Sequence, residues 1–196
     1  MKNQFNPGYA ETAELLELGF GKVGKNVKIA RNATLIGLEN ISIGNNVRID
    51  GFTTIVASEC GKLDIHNNVH IGTSCMLSCS KDLTLSDFTG LSHGVKVFTK
   101  TDDYSGEWMT NPTVPSKYTS QKVGNVYLGK HVIIGSNSIL LPDINIGEGC
   151  AVGALSLVTK DLEEWGIFFG APAKRIKRRS KNLLNKELDY IKEMNT

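Results

Sequence analysis

Leu128-Gly129-Lys130-His131-Val132-Ile133-Ile134-Gly135-Ser136-Asn137-Ser138-Ile139-Leu140-Leu141-Pro142-Asp143-Ile144-Asn145-Ile146-Gly147-Glu148-Gly149-Cys150-Ala151-Val152 places an aliphatic residue at every sixth position: Leu128, Ile134, Leu140, Ile146 and Val152. A step of six fits neither the 3.6-residue period of an amphipathic helix nor the two-residue period of a half-buried strand. Outward from this stretch the same step picks out Val23, Ile29 and Leu35, then Ile43, Ile49 and Ile55, then Ile65, Ile71 and Leu77, then Leu85, Leu91 and Val97, and finally Val158. The fourth residue after most of them is also small or apolar, as at Val27, Val47, Thr53, Val69, Cys75, Val95, Val132, Ser138, Cys150 and Ser156. Glu39, Glu59 and Lys81 are the exceptions, each beside a break in the rhythm.

Three sixes close one triangular turn of a parallel β-helix. Each six supplies a short strand and a corner, the aliphatic points to the axis, and glycine serves where the corner backbone is tight. The spacing therefore predicts an all-β solenoid of about six coils. The breaks support it: the steps between triplets are 8 (35 to 43), 10 (55 to 65), 8 (77 to 85), 31 (97 to 128) and 6 (140 to 146), so every insertion falls at one corner. The longest, residues 103–127, is too long for a silent corner and reads as a functional loop.

The remaining features narrow the class. In 196 residues, 22 Lys and Arg face 20 Asp and Glu, a net charge of +2 that argues against a nucleic-acid partner. With 40% hydrophobic and 21% charged residues the chain is neither disordered nor collagen-like. No apolar run is long enough to span a bilayer, so membrane insertion is not expected. The opening MKNQFNP lacks the apolar stretch of a secretion signal, and a soluble, cytoplasmic protein is expected. Cys60, Cys75, Cys79 and Cys150 include no Cys-x-x-Cys pair, so neither a disulfide framework nor a metal site is expected. Residues 1–22 form an N-terminal segment in which 10–18 (AETAELLEL) reads as a short amphipathic helix. Residues 23–166 form the solenoid with its extruded loop. Residues 167–196 carry a basic run, Lys174-Arg175-Ile176-Lys177-Arg178-Arg179, and a C-terminal helix over 182–193 that packs on or caps the solenoid end.

At Asn125-Val126-Tyr127-Leu128-Gly129, Ile146-Gly147-Glu148-Gly149-Cys150-Ala151-Val152-Gly153-Ala154, Val158-Thr159-Lys160-Asp161 and Gly170-Ala171-Pro172-Ala173-Lys174 the chain resembles the hexapeptide-repeat acyltransferases, within them the galactoside, maltose and xenobiotic acetyltransferase group. That resemblance implies a left-handed parallel β-helix, an exception to the usual right-handed crossover. It implies a homotrimer with active sites between subunits, and acetyl-CoA as donor with no metal. It also implies that Ala154, Thr159 and Lys160 line the pantetheine arm and that Lys174 and Lys177 meet the nucleotide phosphates. The family usually has arginine at those two sites, so here charge is kept while bidentate geometry is not. Tyr127 stands where the family has a tryptophan, against a sugar ring, the pantetheine or a subunit interface.

The family's catalytic histidine before the long loop is absent; the matching stretch is Phe98-Thr99-Lys100-Thr101-Asp102-Asp103-Tyr104. His66, His70, His93 and His131 all fall off the inward positions and read as solvated side chains. His93 stands apart because it lies two after Leu91, as Ser136 does after Ile134 and Ala154 after Val152, so the three stack in one row about 4.8 Å apart on the donor's track. The base is His93, the Asp102/Asp103 pair, or no side chain at all, and the last option suits an amine, which attacks when neutral. The pair has a second use in binding sugar hydroxyls. Trp108 and Tyr118 are lid or subunit-contact candidates on the loop. The reading is an acetyl-CoA-dependent sugar acetyltransferase in polysaccharide or O-antigen building, acting on the oxygen or nitrogen of a free or nucleotide-linked sugar. A non-catalytic scaffold and a serine or drug acetyltransferase on the same fold are the alternatives.

Overall fold

The computed structural model describes residues 6–58 and 60–194; residues 1–5 and Glu59, whose position beside a break was noted above, lie outside the described residues. Within them the six-residue rhythm becomes a three-faced prism, a left-handed parallel β-helix. Face one carries Lys22–Val23, Ile41–Ile43, Leu63–Ile65, Leu83–Leu85, Val126–Leu128 and Ile144–Ile146. Face two carries Lys28–Ala30, Arg48–Ile49, His70–Ile71, Gly90–Leu91, Ile133–Ile134, Ala151–Val152 and Gly166–Phe169. Face three carries Thr34–Ile36, Thr54–Ala57, Met76–Cys79, Lys96–Phe98, Ile139–Leu140 and Leu157–Val158. The register matches the repeat: Ile71 faces Leu91, Leu91 faces Ile134 and Ile134 faces Val152 across successive rungs. These aliphatics are buried, and the second inward position of each six (Val27, Thr53, Cys75, Val95, Ser138) is buried with them. Val23 and Leu35, in the end coil, are only partly covered and pack against the same core.

The expected count of six coils is one short on face two. Its sheet has nine strands, of which the two outermost run antiparallel, leaving seven parallel ones. The extra coil is built by Leu162, which bridges Ile146, and Phe168, which pairs with Val152; both are buried. The step from Val158 to Leu162 is four residues, a contraction in a pattern whose other breaks are all insertions.

Both flanks differ from expectation. Residues 10–18 do not form one helix: Tyr9–Glu11 is a strand antiparallel to Lys28–Ala30, and only Thr12–Leu15 makes a helical turn. The exposed edge of the first coil offers unpaired backbone groups, and satisfying them outweighs the local helical preference. Thr12 Oγ1 accepts from Val27 N–H at 2.9 Å, Arg31 grips both Glu14 oxygens, and Leu15 is buried. At the other end the basic run is a strand, Lys174–Arg178, paired antiparallel with Gly166–Phe169. Sheet pairing therefore continues beyond residue 166.

The C-terminal helix, Leu183–Met194, lies along the corner between faces one and two instead of closing the end. Arg179 turns the chain there by donating to the carbonyls of His131 at 2.7 Å, Gly149 at 3.1 Å and Cys150 at 3.3 Å. Glu187 then binds Lys130 and His131, and Tyr190 meets Phe88 edge-on. In consequence His131 is not a solvated side chain: it is 9% exposed, stacked on Phe88 at 4.9 Å.

The long loop leaves the corner between faces three and one as a hairpin, Lys100–Asp102 against Gln121–Val123, with a short 3-10 turn at Ser116–Tyr118. Its two ends meet where Gly124 N–H donates to Thr99 O at 3.0 Å. Tyr127 is already back in a strand of face one.

Candidate active site

The rungs of face two bring the first group of candidates into rows. Gly72, Ser92, Gly135 and Gly153 occupy equivalent positions, each donating its N–H to the aliphatic of the next coil: Leu91, Ile134, Val152 and Phe168. Glycine is required at two of these by the packing of coils, since a Cβ at Gly135 would lie 2.4 Å from Ala154 N and one at Gly153 would enter the Phe169 ring. Ser92 is the member that carries a hydroxyl, and the sequence reading overlooked it because it sits in a slot that the motif reserves for glycine. One residue further, His93, Ser136 and Ala154 stack at the corner between faces two and three, locked by Asn137 N–H on His93 O and Leu155 N–H on Ser136 O. His93 is exposed and its imidazole has no hydrogen-bond partner among the described residues. Gly170 and the strand carrying Lys174 and Lys177 continue face two toward the C-terminal end, with both lysines exposed.

The second group lies on another side of the prism. Asp102 lines a cleft of about 460 Å³ whose floor is the outer surface of face three, formed by Phe98, Ile139, Leu141 and Leu157. Its carboxylate accepts from Gln121 Nε2 at 3.0 Å and from Asn111 N–H at 3.2 Å. Asp103 points the other way. Ser105 Oγ donates to it at 2.8 Å, with the Ser105 and Gly106 amides at 3.1 and 3.2 Å. The Ser105 hydroxyl, aided by those amides, holds its carboxyl below the usual range, so it is a turn-forming group and a poor base. The adjacent pair of acids is thus divided in its surroundings.

The structure does not gather the donor candidates on one side. Thr159 and Lys160 are exposed at the corner between faces three and one, across face three from Ala154. Tyr127 is 45% exposed on face one, where Ser86 Oγ donates to its hydroxyl at 3.1 Å. In a single chain they therefore look out from different faces and corners of the prism. Trp108 and Tyr118 are exposed on the hairpin.

A further polar cluster was not legible as such in the sequence. Asp50 accepts from Tyr9 Oη at 2.8 Å and Arg48 Nε at 2.7 Å, and meets His70 Nε2 at 2.8 Å. Burial raises the Asp50 carboxyl, but the hydrogen bonds from His70, Tyr9 and Arg48 outweigh it and leave it below its ordinary value. Since Tyr9 belongs to the N-terminal strand, the cluster fastens that strand to face two. Among the described residues no group of three or more His, Cys, Asp or Glu could hold a metal ion, and no helix is long and apolar enough to cross a membrane.

No family model matches the chain. It is 47% identical over 179 residues to dTDP-4-amino-4,6-dideoxy-D-glucose acyltransferase of Escherichia coli, covering 91% of this chain and 93% of that protein. The chain belongs to the hexapeptide-repeat sugar acyltransferases. Its fold is that of AntD, an N-acyltransferase from Bacillus cereus seen in complex with dTDP and 3-hydroxybutyryl-CoA, with TM-score 0.91, 40% identity and coverage of 97% of this chain and 100% of that one. A serine variant of AntD in complex with dTDP-4-amino-4,6-dideoxyglucose and coenzyme A gives TM-score 0.92 at 38% identity, with the same coverage. This member of the family is accordingly an enzyme, a sugar acyltransferase that uses an acyl-CoA donor, and the scaffold reading gives way.

Proposed function

We propose that this acyltransferase N-acylates the amino group of a nucleotide-linked amino sugar, in an active site that two subunits of a homotrimer build together. The observation that carries the reading is the near full-length likeness to an enzyme named for a dTDP-linked amino sugar. A second supports it at residue level. Variants of AntD in complex with coenzyme A were made at a serine and at an aspartate ten positions apart. Ser92 and Asp102 are the only serine and aspartate of this chain, in that order, with that spacing.

Ser92 lies on face two and Asp102 overhangs face three, so the pair meets one substrate only when the hairpin of one subunit leans over face two of its neighbour. The same packing lets Thr159 and Lys160 of one subunit approach the Ala154 row of the next. In this arrangement the pantetheine arm follows the His93, Ser136 and Ala154 row, with the nucleotide phosphates near Lys174 and Lys177. Asp102 holds the acceptor amine. The neutral nitrogen attacks the thioester carbon to give an oxyanion and an N–H⁺ centre; His93 takes that proton, and collapse breaks the C–S bond so that the thiolate leaves and is reprotonated. An amine needs no base before it attacks, which fits the absence of the family's loop histidine. The product is an activated N-acyl sugar suited to surface polysaccharide assembly in the cytoplasm.

The test is a panel of nucleotide-linked amino sugars and hydroxyl acceptors with labelled acetyl-CoA, read by mass spectrometry. An amide on the amino sugar is expected; transfer confined to hydroxyl groups overturns the reading. Asp102→Asn is expected to raise the acceptor KM more than the acetyl-CoA KM, and His93→Asn to lower kcat.

A further inference from the structure

A groove of about 400 Å³ separates the C-terminal helix from face two, floored by Gly90 and Ile133 and walled by Leu183, Lys186, Glu187 and Tyr190. Gly90 is unlike the other glycines of the face. It sits inside a strand, where glycine costs stability, and its φ is one that any residue adopts. A Cβ there would find nothing nearer than Ile133 Cγ1 at 4.0 Å. The residues in register with it, His70, Ile133 and Ala151, all carry side chains. Neither coil packing nor backbone geometry asks for glycine at 90, and the clearing it leaves is open to a molecule from outside.

The position fits one side of the reaction. Gly90 lies two residues before Ser92 in the same rung, about 7 Å along the backbone, and the donor row of His93, Ser136 and Ala154 lies on the far side of Ser92. A molecule over Gly90 therefore approaches from the acceptor's direction. The floor is apolar, with Ile133 43% exposed. On the helix the Tyr190 ring and the exposed Lys186 ammonium face the groove, while the Glu187 carboxylate is paired with Lys130 and hydrogen-bonded to His131.

We infer that this groove is the acceptor subsite, in which a deoxy-sugar ring lies over Gly90 and the attached nucleoside diphosphate runs beneath the C-terminal helix toward Lys186. The inference rests on the acyl-transfer reading above and names Gly90, Ile133 and Lys186 as determinants of acceptor binding.

Gly90→Val fills the clearing with a residue suited to a strand and tests the idea directly. The expected result is an acceptor KM raised about tenfold or more, an acetyl-CoA KM unchanged within about twofold, and a melting temperature no lower than that of the natural protein. Lys186→Ala is expected to weaken dTDP in calorimetry by a similar factor. If the natural protein acylates no nucleotide amino sugar yet binds dTDP, and Gly90→Val abolishes that binding, the subsite stands although the proposed reaction falls. If Gly90→Val keeps both the acceptor KM and the dTDP affinity, or raises the acetyl-CoA KM instead, the subsite is overturned.

Discussion

Thr99 stands at the root of the hairpin and its replacement by valine is expected to be among the more damaging single-atom changes in the protein. The side chain is fully buried. Its hydroxyl accepts from Ser80 N–H at 2.8 Å and Lys81 N–H at 2.9 Å and donates to Ser78 O at 3.1 Å, tying the corner of one coil to the strand end of the next. Valine keeps the shape and removes all three bonds. Leaving partly buried amides unpaired costs about 1–3 kcal/mol each, so a loss of about 3 kcal/mol follows for the two donors. At about 2–4 °C per kcal/mol for a chain of this size, the melting temperature should fall by about 6–12 °C. Thr99→Ser is the control: it keeps the hydroxyl and loses one methyl, about 1 kcal/mol. Thermal melts of the three proteins, followed by circular dichroism and calorimetry, decide the matter. Equal losses for valine and serine, or a larger loss for serine, would refute the assignment of stability to the hydroxyl.

Glu187 anchors the C-terminal helix. Burial raises its carboxyl, but the hydrogen bonds from Lys130 and His131 outweigh that and leave it below its ordinary 4.5. A depressed folded value means that its contribution is complete above about 4.5 and is lost as pH falls through the folded value. Glu187→Gln should therefore melt lower than the natural protein at pH 7, by about 2 kcal/mol, and the gap should narrow in melts run below pH 4.5; a gap that is constant with pH would contradict the ion-pair account. Thiol labelling at pH 8 should modify one cysteine quickly and three slowly. Cys60 is exposed, whereas burial pushes Cys79 up to about 12 and raises Cys75 and Cys150. Peptide mapping that finds fast modification at Cys75, Cys79 or Cys150 would show that the coils open more readily than their burial implies.

The coils were legible because each rung repeats the same physical demand, an aliphatic at the axis and a small residue beside it, so the eighteen aliphatic positions read from the sequence all fall in the strands where they were expected. What escaped were places where one demand replaced another. Leu162 and Phe168 continue the rhythm after a shortened step, and a search tuned to insertions passes over a contraction. Residues 10–18 have the polar-apolar spacing of a helix, but the open edge of the first coil recruits 9–11 as a strand. Lys174 to Arg178 reads as a charged flank because an edge strand with one solvated side needs no apolar face. At the site, His93, Ser136 and Ala154 fell in one row since stacking follows arithmetic. Ser92 did not stand out, because what distinguishes it is the glycine slot it occupies. Nor could spacing reveal that Asp102 and Ser92 look out from different faces, a fact of three-dimensional direction that residue numbers do not contain.

The hydrogen bond between Gly124 and Thr99 brings the two ends of the excursion from Lys100 to Val123 together on the prism. The scaffold is thus indifferent to what is strung between them: it behaves as a socket, and hairpins of other lengths and chemistries can be plugged into it without disturbing the winding on either side. Variation in this family can then be concentrated in one detachable module, with the rungs on either side left untouched.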